Sequence, residues 1–184
     1  MKQVKGVVII SIVKSIKANH QKRDEYDRIL SVKAKEFLKQ RILPGSWYPF
    51  EEYRECYDAL CYVEARNNPK TIVEWGMTDG KSTFLSTYQS TVIKEDIQLA
   101  VERYVRFHRR TMNIGEIVTE IISDNEVKFA YTKMPREWEN WYHTAVGWAI
   151  SFIGLCLNRQ IDYTYLNKSW KNEGWTEVKF SWSS

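Results

Sequence analysis

Glu116-Ile-Val-Thr-Glu-Ile-Ile122, then Asp124-Asn125, then Val127-Lys-Phe-Ala-Tyr-Thr-Lys133 is the stretch on which the fold turns. Both runs read as strands, in which successive side chains point to opposite faces, and the Asp-Asn pair between them tolerates the positive φ angles of a tight hairpin turn. From Arg136 to Leu157 the period becomes helical, with Trp138, Trp141, Tyr142, Ala145, Ala149, Phe152 and Cys156 on one stripe. Two strands then return. In Ile161 to Leu166 the residues Ile161, Tyr163 and Tyr165 share a face. In Trp175 to Trp182, Thr176, Val178, Phe180 and Trp182 alternate with Glu177, Lys179 and Ser181, and Asn172-Glu-Gly174 is the turn between the strands. This β-β-α-β-β order predicts a four-stranded antiparallel sheet that needs a helical cover.

Upstream, the chain reads as helices. Val4 to Lys17 repeats Val8, Ile9, Ile12, Val13 and Ile16 at helical spacing, Asp24-Glu25 opens a short helix through Leu30, and Val32 to Leu43 is helical or partly extended. Pro44-Gly-Ser-Trp-Tyr-Pro49 breaks the chain. Pro49 then starts a helix through about Ala65, and Asn67-Asn-Pro69 ends it. Further helices are expected over Lys70 to Tyr88 and Lys94 to Arg110. The plan is α+β in one domain over 1–184, with a mainly helical portion over 1–112 followed by a sheet-plus-helix portion over 113–184.

Composition sets outer bounds. With 184 residues and 43% hydrophobic content, the chain is long enough to bury a core unaided. The longest apolar run, Ala145 to Leu157, is shorter than the roughly 20 residues a bilayer requires, so no transmembrane segment is expected. Val7 to Val13 follows lysines as a signal peptide's core would, but no small-residue cleavage site follows. Cys56, Cys61 and Cys156 form neither a disulfide framework nor a metal spacing, which implies a reducing, cytoplasmic compartment. Charge is uneven: residues 1–41 carry a net +7 and the remainder −3, within a total of +4.

Several chemistries are weighed and set aside. Gly76-Met-Thr-Asp-Gly-Lys-Ser82 has three residues between its glycines where a phosphate-binding loop needs four, so it reads as a helix with small residues where another element packs closely. Arg103-Tyr-Val-Arg106-Phe-His-Arg-Arg110 interleaves aromatics with cations as single-strand binders do. A helix there places Val101, Tyr104, Val105 and His108 on one face and Arg103, Arg106 and Arg110 toward water, so no nucleic acid is expected. His20, His108 and His143 lack zinc spacing, no Gly-x-Ser-x-Gly turn occurs, and Glu51-Glu52 and Glu137/Glu139 read as exposed helix faces. The chain does not read as an enzyme. Its tryptophans, including Trp148 and Trp175, imply much aromatic area around the sheet.

The order of elements and several short motifs resemble the superfamily of haem-NO-binding domains, 4-vinyl reductase (V4R-type) domains and vesicle-tethering transport-particle (TRAPP-like) subunits. Val4-Lys-Gly6 before an apolar helix is similar to the haem-NO-binding start. Trp47-Tyr-Pro49 followed by a helix with Tyr53 is similar to an element of the non-haem relatives, and Gly174-Trp-Thr-Glu-Val-Lys-Phe-Ser-Trp182 resembles the last V4R-type strand. Haem-binding members hold iron through a helix His, and the resemblance puts His108 about where that ligand falls. Their Tyr-x-Ser-x-Arg propionate clamp is matched by Tyr131 alone, since Thr132, Lys133 and Pro135 do not supply the rest. A histidine beside arginines reads instead as an interface or solvent residue. V4R-type domains often carry cysteines near the final strand, and this chain has none there.

The resulting expectation is the non-haem branch: a non-catalytic sensory or regulatory module, cytoplasmic and homodimeric, without a cofactor. It would hold a small apolar ligand, or a protein partner, against Trp47, Tyr48, Trp138, Trp141, Tyr142 and Phe152. The alternatives are a scaffold that dimerises without a ligand and a haem-based gas sensor with His108 as proximal ligand.

Overall fold

A computed structural model describes residues 1–94 and 96–183 and divides the chain into two compact units, Met1–Asn68 with Arg110–Ile114, and Pro69–Arg109 with Gly115–Ser184. Helical residues 69–109 therefore group with the sheet.

In the first unit, the short strands β1 (Gln3–Lys5) and β2 (Trp47–Pro49) pair antiparallel, with Val4 opposite Tyr48. Both were missed in the sequence because three residues carry too little alternation to register. Helix α1 (Gly6–Ala18) buries Ile9, Ile12, Val13 and Ile16, the predicted stripe. Two short helices follow, α2 (Arg23–Ile29) and α3 (Val32–Lys39). The Ser31 hydroxyl caps α3 by accepting from the Ala34 amide at 3.2 Å, and it donates to Glu55 at 2.8 Å. Helix α4 (Phe50–Ala65) packs against α1 and α3 and buries Phe50, Tyr53, Cys56, Tyr57, Leu60 and Val63. Apolar side chains such as Phe50, Leu60 and Val63 each stabilise by about 1.5–3 kcal/mol when fully buried.

In the second unit, α5 (Pro69–Leu85), α6 (Ile97–Thr111 as a helix, through Arg109 in this unit) and α7 (Glu139–Leu157) accompany a sheet of order β3-β4-β6-β5. Its strands are β3 (Glu116–Ser123), β4 (Glu126–Thr132), β5 (Asp162–Asn167) and β6 (Thr176–Ser181), all antiparallel. The α+β plan and the β-β-α-β-β order are those read from the sequence. Registers align Ile117, Tyr131 and Thr176 in one row, and Thr119, Phe129, Val178 and Tyr165 in the next. Tyr131, Phe129, Thr176 and Val178 are fully buried, whereas the opposite face carries the pairs Lys128–Glu120 at 2.6 Å and Lys179–Glu126 at 2.7 Å. Helix α7 begins three residues later than expected, at Glu139, with Trp138 as its N-cap residue. Trp175 lies just ahead of β6 and is 44% exposed beneath the Arg136 guanidinium, so it does not join the core.

Helices α5 and α7 cross at glycines. A Cβ on Gly147 would overlap the Val73 carbonyl and fall 2.7 Å from the Met77 nitrogen, and one on Gly76 would overlap the Thr144 carbonyl. The near-miss phosphate motif Gly76–Ser82 is thus interior α5, where helical pairing occupies the amides that a phosphate would need. Among the described residues, no helix is long and apolar enough to cross a membrane.

Gly147→Ala is expected to lower unfolding stability by about 1–3 kcal/mol through overpacking. Gly45→Ala, where a Cβ meets nothing within 4 Å, should leave it unchanged. Urea denaturation of both variants checks this, and equal effects would refute the crossing.

Candidate functional site

Helix α6 positions the one residue for which the sequence offered a metal-ligand role. Asp96 caps it, its carboxylate accepting from the Leu99 amide at 2.9 Å. Ala100, Val101, Tyr104, Phe107 and His108 form the buried face, while Arg106 pairs with Glu102 at 3.8 Å on the exposed one. His108 is only 6% exposed, which corrects its reading as a solvent or interface residue: the helical period that buries Tyr104 also turns position 108 inward. Its ring meets the Trp141 indole edge-on at 6.1 Å, and Nε2 has essentially no solvent access.

Trp141 is the centre of an aromatic cluster. It stacks on Trp138 at 5.9 Å and meets Tyr131 edge-on at 5.7 Å and Tyr142 at 5.4 Å. Edge-to-face pairs of this kind contribute roughly 0.5–1.5 kcal/mol each beyond area burial. Tyr142 stacks on Trp170 at 5.4 Å and donates its hydroxyl to the Pro135 carbonyl at 3.3 Å. Tyr131 comes from the inner face of β4, and burial raises its pKa well above the ordinary phenol range. Among the described residues its hydroxyl has no hydrogen-bond partner. Phe152 belongs to a second cluster, 4.9 Å from Phe84 and 5.1 Å from Tyr104.

The expected ligand-contacting residues are therefore distributed over both units. Trp138, Trp141, Tyr142 and Phe152 are buried in the second. Tyr48 and Trp47 are in the first, where the Tyr48 hydroxyl accepts from the Leu43 amide at 2.7 Å and Trp47 is 39% exposed under the Lys5 ammonium.

A polar group that the sequence reading passed over lies beside the Trp141 cluster. His143 Nδ1 is 2.8 Å from the Tyr165 hydroxyl and Nε2 is 3.4 Å from Glu139, with Trp170 packed against both rings. The Glu139/His143 spacing of four on a helix was the signal available. Burial lowers the imidazole pKa, and Lys168 adds to this, while Glu139 opposes both. With the proton of the neutral ring on Nε2, facing Glu139, Nδ1 accepts from the Tyr165 hydroxyl. The cysteines are unreactive by environment: burial pushes Cys56 and Cys61 up to about 12 each. Among the described residues, no group of three or more His, Cys, Asp or Glu side chains could hold a metal ion.

No family profile and no curated protein matches the sequence. Solved structures do match in fold. A mutant Fe(II) unliganded H-NOX protein from K. algicida superposes with a TM-score of 0.67 at 12% identity, covering 98% of this chain and 97% of the other. A mutant T. tengcongensis H-NOX gives 0.62 at 12% identity with 98% of both chains covered, and the oxygen complex of an oxygen-binding H-NOX domain related to soluble guanylate cyclases gives 0.63 at 12%, covering 98% and 95%. The chain has an H-NOX-like fold. Nothing in the comparisons singles out the V4R-type or transport-particle branch.

Two outcomes follow from the buried polar groups. Tyr131→Phe removes a hydroxyl that is desolvated without a partner, so unfolding stability should be unchanged or rise by about 1 kcal/mol; a loss above 1 kcal/mol would mean that the hydroxyl is satisfied. A histidine whose folded pKa is depressed is favoured neutral, so its contribution is complete above the unfolded value near 6.5 and declines as pH falls below it. Stability measured from pH 7.5 to 5 should therefore drop less in His143→Gln than in the unaltered chain. A steeper drop in the variant would show that a protonated His143–Glu139 pair dominates.

Proposed function

We propose that this chain is a non-catalytic sensory or regulatory module that holds a small ligand with an apolar body and does so without haem. The fold supports the sensory part, since the matching solved structures are H-NOX domains covered over nearly their whole length. The raised thiol pKa values of Cys56 and Cys61 favour the non-catalytic part, since neither is poised as a nucleophile.

The observation that carries the haem-free reading is the seat of His108. An iron must reach an imidazole nitrogen at bonding distance, yet Nε2 is closed off from solvent and Trp141 lies against the ring. The cations in and beside the Tyr131–Pro135 stretch are engaged in surface contacts. Lys133 pairs with Glu116 at 2.7 Å, Arg136 donates to the Gly174 carbonyl at 2.9 Å, and position 135 is proline. On this reading the seat of His108 and the surface pairing of these cations argue against a bound haem.

A haem-based gas sensor is the second reading. It is favoured by the H-NOX neighbours, one of them an oxygen complex, and by a buried histidine on the helix preceding the hairpin. Hemin titration followed by visible absorption separates the two. The haem-free reading predicts no saturable Soret band that depends on His108. A stoichiometric band in the unaltered chain that is lost in His108→Ala would establish the gas-sensor reading instead.

A further inference from the structure

We propose that the first unit binds an amphipathic carboxylate, a medium- to long-chain fatty acid in chemical class, in the cavity framed by α1, α2 and α3. This rests on the reading of the chain as a ligand-holding module and gives that module an input site. The cavity measures about 520 Å³, within the range of small-molecule sites, and is open on one side. Its apolar wall comes from Ile16, Tyr26, Leu30 and Leu38, of which the first three are buried. Val32, 76% exposed, extends that apolar lining to the solvent side.

The wall is held in shape by polar groups whose ends point elsewhere. The Tyr26 hydroxyl and the Asn19 amide donate to Glu64 at 2.8 and 2.7 Å, and Lys22 pairs with the same carboxylate at 2.8 Å, so three residues around the α1–α2 connection are tied to α4.

The cavity's charged residues have the opposite character from its wall. Lys17, Arg23, Lys35 and Lys39 contribute four fixed cations against Asp27 and Glu36, an excess of two positive charges, and His20 lies among them. Arg23 is 3.8 Å from Asp27 and Lys39 is 2.6 Å from Glu36, while Lys35 donates to the Asp27 carbonyl at 2.5 Å. Among the described residues, Lys17 is in no ion pair. The marked positive charge of residues 1–41 thus has a local use: an apolar slot with an uncompensated cation at its edge is complementary to an alkyl chain ending in one negative charge. Long basic side chains suit this place because their methylene stems cover apolar surface while their heads stay in water.

Fluorescence titration with 11-(dansylamino)undecanoate, displaced by dodecanoate below its micellar concentration, tests the assignment. Saturable one-to-one binding is expected, weakened at least tenfold in Lys17→Glu and restored within about threefold in Lys17→Arg. Dodecanol should displace the probe at least tenfold less well than dodecanoate. Lys17 is exposed, so the variants should fold, and unchanged thermal midpoints check this. Equal displacement by acid and alcohol, or an unaffected Lys17→Glu, would overturn the proposal. So would binding to phosphatidylglycerol vesicles without binding of monomeric dodecanoate. If dodecanoate does not bind while native mass spectrometry finds another small molecule co-purified, this site is wrong and the ligand-holding reading survives. If neither binds, both are wrong.

Discussion

The close crossing of α5 and α7 is the constraint on which the second unit depends. Only hydrogen at positions 76 and 147 lets the two backbones approach as they do, and Gly80 extends the contact, its would-be Cβ lying 3.1 Å from the Trp148 Cα. Helices in contact at their backbones leave their larger side chains to project to either side. From that pair come Phe84, Trp148 and Phe152, which mesh with Tyr104 and Phe107 of α6, while Tyr104 reaches Phe129 of β4 at 5.6 Å. Sheet and helices are therefore joined through aromatic rings, and the register of β4 against its neighbours fixes which rings face inward.

Within that frame, His108 and Tyr131 are the residues through which the fold and its chemistry separate. Both are buried, and both touch Trp141, which lies against His108 on one side and Tyr131 on another. The H-NOX-like architecture is present, and on the haem-free reading proposed above aromatic packing around Trp141 and surface pairs such as Lys133–Glu116 stand where a charged macrocycle would need polar contacts. Architecture is conferred by patterning and layer packing, whereas ligand chemistry is conferred by a few side chains.

The sheet and the long helices were legible because their periods are long enough to register. Thr176 to Ser181 alternates through a full strand, and Ile9 to Ile16 marks a full helical stripe. The helical reading of Gly76–Ser82 was available from the missing fourth residue between the glycines. The strands Gln3–Lys5 and Trp47–Pro49 were not legible, since their pairing is set by a partner more than forty residues away. An amphipathic helix's period does not state which layer its apolar face meets, so the grouping of residues 69–109 with the sheet comes from the coordinates. Of the candidate site, His108 was located by its place in the chain, but its burial against Trp141 required coordinates. The α1–α3 cavity was visible only as a charge excess in residues 1–41, since apolar wall and cationic edge come together through two chain reversals.

The claim at the centre of this account is that an H-NOX-like chain here works without haem. Native mass spectrometry of the protein purified from haem-replete cells addresses it most directly, because it weighs whatever the folded chain retains. The account predicts a chain mass free of any haem adduct, with or without a smaller organic molecule. A one-to-one haem adduct that vanishes when His108 is replaced would contradict it.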